Sequence, residues 1–209
     1  MNNTTITILG LDKLTSTVII ACAGVLLLAV ILLLARGIRG SQNKRDERRL
    51  EKILQELRKD EVQNIVLPDG LGGLLEIERL ILMEQGLLII NTLAISGHLF
   101  GADNINNWTQ VVNGRSFKFN NPLQHIDNAK YAVQSLAPKM PVFSRVVFTE
   151  QSYFPKGKPN SVSTLDSLKD DLHGVLCSNK TVTGVELAWE RITRIARQSE
   201  SSLIRGAGL

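Results

Sequence analysis

Cysteine is nearly absent. The 209 residues include only Cys22 and Cys177, so no disulfide framework holds the chain, as suits a reducing compartment. Histidine is also scarce. His98, His125 and His173 are scattered, and His173 with Cys177 makes a four-residue spacing that no second pair completes as a zinc set. The loop glycines 70, 72 and 73 are not followed by Gly-Lys-Ser or Gly-Lys-Thr, which excludes a phosphate-binding loop of that kind. Ser96, His98 and Asp103 lack a nucleophile elbow and read as turn residues. There are no internal repeats. An excess of charge is missing where it would matter for a polyanion. The net +4 arises in residues 1–60, with 10 basic and 6 acidic side chains, whereas residues 61–209 carry 14 of each. The basic balance therefore points to no nucleic-acid partner by itself.

What is present begins with Thr15–Leu34, a run of 20 residues without a charge. As a helix it crosses a hydrocarbon core of about 30 Å. A cleaved secretion signal is the alternative, but the apolar run is too long and its basic flank follows it. A lipoprotein box at Cys22 is weak, because the apolar run continues well past it. Lys13 alone precedes the span, and Arg36, Arg39, Lys44, Arg45, Arg48, Arg49 and Lys52 follow it. The expected arrangement is a 1–14 tail outside the cell, a 15–35 transmembrane helix and everything beyond in the cytoplasm. Residues 36–60 form a basic stalk, able to rest against anionic lipid, with Leu50, Ile53, Leu54 and Leu57 as its apolar stripe.

The rest reads as a mixed α/β domain. A strand at Glu61–Leu67 leads through the turn "PDGLGG" into Leu74–Met83. There, alternation puts Glu76, Glu78 and Leu80 on one face and Ile77, Arg79 and Ile81 on the other. "EQG" turns into "LLIINTLAISGHLFG", whose alternation groups Leu87, Ile89, Asn91 and Leu93. A short strand at 116–119 precedes a helix capped by Asn121, with Pro122 in its first turn, running to about Ala137. A strand at Val142–Phe148, a short helix at 165–172 and an amphipathic helix at 183–197 follow, with a frayed end at 199–209. Trp108 and Trp189 read as buried or interfacial rather than as base-stacking residues.

Four blocks in this order resemble the nuclease-related domain, or NERD, family, a branch of the restriction-endonuclease-like fold. They are "EIERLILMEQGLLII", "SGHLFG" followed by Trp108-Thr109-Gln110, "NNPLQHIDNA" and "VVFTEQSYF". Asn121, Pro122, Leu123 and Gln124 match the family's Asn-Pro-Leu-x-Gln helix start. The resemblance covers residues 61–160 and leaves 161–209 as a helical extension. It implies a restriction-endonuclease-like mixed sheet flanked by helices, in a membrane-anchored bacterial member, and magnesium-dependent cleavage of nucleic acid. In such chemistry carboxylates on neighbouring strands hold the cation, the metal activates water, and a lysine beside them offsets developing charge.

The departures fall on the residues that carry that chemistry. The family's first carboxylate maps onto Glu78, and its Glu-x-Lys maps onto Asn91-Thr92-Leu93. An amide and an aliphatic side chain thus replace an acid and a base. Rescue could come from Glu76, from Glu47 or Glu51 on the stalk, and from Lys118 on another strand. A plain reading of Glu76 and Glu78 as an exposed strand face stands beside this. Three functions follow as expectations. The first is an inner-membrane protein with a degenerate nuclease site that binds nucleic acid or a protein. The second is an active Mg²⁺ nuclease with a relocated site at Glu76, Glu78, Asn91 and Lys118. The third is a membrane scaffold with no nucleic-acid role.

Overall fold

The computed structural model describes residues 24–30, 44–149, 151–176 and 182–206. Two compact units divide the chain, Met1–Arg45 and Asp46–Leu209. In the first, residues 24–30 are helical, and Val25, Leu26, Leu27 and Leu28 are exposed. No helix among the described residues is long and apolar enough to cross a membrane. Most of the apolar run at 15–34 lies outside those residues, as does Cys177.

The second unit is built on a five-stranded sheet and a four-stranded sheet. Helix α1 covers residues 44–55. Strands β1 (Asp60–Pro68), β2 (Leu74–Met83) and β3 (Gly86–Leu93) form an antiparallel meander. Asp69 fixes the first turn, its Oδ1 accepting from the Leu71 and Gly73 N–H groups. Strands β4 (Gly97–Phe100), β5 (Asn107–Val112) and β6 (Arg115–Asn120) then form the second sheet. One sheet was expected from the sequence; the chain leaves it at Gly97, whose φ is 96° and where a Cβ would lie only 2.7 Å from the Val111 carbonyl oxygen, so only glycine suits. Helix α2 (Pro122–Leu136) returns the chain to β7 (Val142–Phe148), which lies parallel to β3. Then come β8 (Ser152–Tyr153), β9 (Val162–Thr164), α3 (Leu168–Leu176) and α4 (Val185–Gly206). The last helix thus continues well past 197, through most of the segment expected to fray.

Two cores flank the large sheet. The larger gathers Leu80, Leu82, Leu87 and Ile89 with Ile126 and Val133 of α2 and Trp189 and Ile192 of α4. The smaller gathers Ile81, Met83, Leu88 and Ile90 with Leu50 and Leu54 of α1 and Leu168 and Leu172 of α3. The apolar stripe of the charged N-terminal helix is therefore a core element, each buried leucine contributing about 1.5–3 kcal/mol. One expected alternation fails. Ile77 lines the larger core together with Leu80 and Leu82, so odd and even positions share a face. The break lies where β1 turns left-handed at Asn64, with φ 51°, and the β1–β2 ladder omits the Asn64–Glu78 pair.

Candidate functional site

The β2–β3 ladder runs from Met83 paired with Gly86 to Arg79 paired with Ile90. Glu78 and Asn91 take the next position, so they do stand on neighbouring strands. The Glu78 carboxylate turns to Thr92 instead. Its Oε2 accepts from the Thr92 N–H at 2.6 Å, and its Oε1 accepts a short hydrogen bond from the Thr92 hydroxyl. The half-buried Asn91 side chain has no hydrogen-bond partner among the described residues. Leu93 packs against the larger core, and its carbonyl accepts from the Thr149 N–H at 3.0 Å. The position of the expected lysine is thus an apolar packing position.

One residue further along β2, Arg79 collects the acids that might have served Glu78. It is buried, with 6% of its surface exposed. Its Nη1 donates to Glu51 and Glu61 and its Nη2 to Glu47, each at 3.1 Å. Arg58 closes the set by pairing with Glu51 at 2.6 Å and with Glu61. Burial raises the Glu51 carboxyl, but the two guanidinium groups outweigh it and hold Glu51 below the usual carboxylate range. The sequence reading missed Arg79. Its signal was a lone cation in the apolar strand "LLEIERLILM", which can be buried only with partners, together with Glu47 and Glu51 one turn apart on α1.

The motif at the start of α2 acts on structure. Asn121 is 3% exposed. Its Oδ1 caps the helix through the Leu123 N–H at 2.9 Å, and its Nδ2 reaches the carbonyls of Ala102, Asp103 and Ile105 at 3.3, 3.1 and 2.9 Å. Trp108 is fully buried, and its Nε1 also donates to the Ala102 carbonyl, at 3.1 Å. Gln124 donates to the Asn106 side chain at 3.1 Å. Pro122 occupies the first turn, where its missing N–H costs nothing. These residues fold the 101–106 loop onto the helix start. The buried ring of Trp108 stacks on Phe148 at 6.3 Å and 10°, so it offers no face to a base.

Glu76 is exposed on β2, and Lys118 is exposed on β6, in the other sheet. Neither makes a hydrogen bond or ion pair among the described residues, and Lys118 stands beside Thr109. No group of three or more His, Cys, Asp or Glu side chains among the described residues could hold a metal ion. The residues around Glu78 do not fit Mg²⁺, which takes oxygen ligands in near-octahedral geometry. Glu78 has both oxygens engaged, Asn91 is neutral, and Glu47 and Glu51 are paired with arginine.

The two sheets and the Asn-Pro helix start make this a mixed α/β domain. The model of that family, the nuclease-related domain, matches residues 42–149, just over half of the chain. The chain belongs to the nuclease-related domain family. No curated protein and no solved structure gives a significant match.

Proposed function

We propose that this protein is a membrane-anchored nuclease-related domain that binds without cutting. The observation that carries the reading is the Glu78–Thr92 contact, in which the carboxylate at the family's first acid position serves the backbone of β3. Asn91 and Leu93 supply neither the second acid nor the base, and no step through a metal is assigned to them. Support for the anchor is the uncharged Thr15–Leu34 run, the exposed leucines within helical residues 24–30, and the seven cations that follow. In this reading the N-terminal tail lies outside the inner membrane and the domain in the cytoplasm.

The test is a cleavage assay with the full-length protein, using labelled single- and double-stranded DNA and RNA with Mg²⁺ or Mn²⁺. The expected result is no cleavage above a buffer control. Cutting that disappears in Glu78→Ala would establish an active site instead. Reaction of externally added, membrane-impermeant reagents with a cysteine introduced near residue 5, but not with one near residue 160, checks the orientation in intact cells.

A further inference from the structure

The four-stranded sheet has an inner and an outer face. Leu99 and Trp108 are buried and Phe119 packs against them, so these positions point inward and their neighbours outward. Pairing then fixes the outer rows. Tyr153, His98, Val111 and Ser116 lie side by side across all four strands, and Phe100, Thr109 and Lys118 form the next row. Asn107 and Asn120 form a third. Tyr153, His98, Ser116, Lys118, Asn107 and Asn120 are exposed. The Tyr153 and His98 rings lie side by side on neighbouring strands, with centroids 5.8 Å apart and planes tilted by 33°. The four strands contain Arg115 and Lys118 and no Asp or Glu. That is a local segregation, because residues 61–209 carry equal numbers of acids and bases.

We infer that this outer face binds a single-stranded nucleic acid, with bases stacked on Tyr153 and His98 and a phosphate held by Lys118. A row across four strands spans about 14 Å at about 4.8 Å per strand, and aromatic four-stranded sheets of this size stack two or three bases. Stacking needs an open base face, which a duplex keeps to itself. Between the rings and the lysine lie Val111 and the hydroxyls of Ser116 and Thr109, and the Asn107 and Asn120 amides lie one row beyond the lysine, where they can reach base edges. The four strands carry no Asp or Glu and so add no repulsion to a phosphate lying across them. This site lies on a different sheet from Glu78 and does not depend on whether that residue supports cleavage.

The test is fluorescence anisotropy of the full-length protein with dT and U 20-mers and a 20-base-pair duplex, in EDTA so that no cleavage contributes. The expected result is preference for the single strands, with affinity falling as salt rises. Tyr153→Ala should weaken binding about tenfold, and Tyr153→Phe should leave it unchanged. Lys118→Ala should reduce the salt slope by about 0.7. Tyr131→Ala, at a 74% exposed tyrosine of α2, should have no effect. Equal affinity for the duplex, equal losses at Tyr153 and Tyr131, absence of binding, or equal competition by a poly-Glu 20-mer would each overturn the proposal.

Discussion

Glu78 and Thr92 are bound twice, through the Thr92 main-chain N–H at 2.6 Å and through its hydroxyl. The carboxylate closes the gap left where the β2–β3 ladder stops at Arg79 and Ile90. Thr92→Val removes the hydroxyl with little change in shape. It should lower stability by about 1–2 kcal/mol, seen as a lower urea midpoint at unchanged slope. Glu78→Ala should cost more, since the Thr92 N–H then also loses its partner. If Glu78 were a free ligand awaiting a cation, removing it would leave stability unchanged or raise it.

Arg79 joins α1 to β1 and β2 through Glu47, Glu51 and Glu61. Removing one member of a buried ion pair typically costs about 3–5 kcal/mol, because the other charge is left without compensation. Glu61 is the critical partner, with its side chain only 7% exposed, whereas Glu47 is 71% exposed. Arg79→Ala should therefore destabilise by an amount in that range, and Glu47→Gln by less than about 1 kcal/mol. Arg79→Lys should rescue only part, since an ammonium cannot span three carboxylates as the planar fork does. Equilibrium urea unfolding measures all three.

Asn121 performs two separable tasks. Its oxygen caps α2 and its nitrogen holds three loop carbonyls. Asn121→Asp keeps the cap and loses the donor, so it should perturb the near-ultraviolet signal of Trp108 while α2 stays helical. Asn121→Ala loses both, with the cap alone worth about 0.5–2 kcal/mol. Equal effects of the two variants on stability and on the Trp108 signal would show that the donor half carries all of it.

Asp171 ties α3 to β9 and the preceding loop. Burial raises its carboxyl, but hydrogen bonds from Lys158, Ser167 and Ser163 prevail and hold it below the ordinary carboxylate range. A depressed folded-state pKa means the native protein releases this proton more readily than the unfolded chain. Its stabilisation is complete above the unfolded value of about 3.9 and is lost as pH falls through the lower folded value. Asp171→Asn should thus reduce stability at pH 6, with a shallower further decline towards pH 2. Urea midpoints across that range give the comparison.

Much of this architecture could be read from local pattern. The Asn121-Pro122 start, the 142–148 strand and the leucine stripe of α1 all carry short-range signals, and each appears where periodicity and capping place it. The Asn64 distortion does not announce itself, since it depends on which strand lies opposite. The same is true of the second sheet, which follows from the backbone at Gly97. At the candidate site, the sequence displays the unusual residues at 78, 91 and 93. It does not reveal that Thr92 takes the carboxylate, because that contact joins residues 14 apart through a hydroxyl that reads as ordinary strand. Arg79 was visible as a charge in an apolar strand, but its three partners come from two other elements.

The most direct test of the central claim is calorimetric titration of the full-length protein with Mn²⁺ beside Glu78→Ala. The account predicts no saturable binding up to about 1 mM and the same trace for both proteins. A saturable site of micromolar affinity in the wild type, lost on Glu78→Ala, would contradict it.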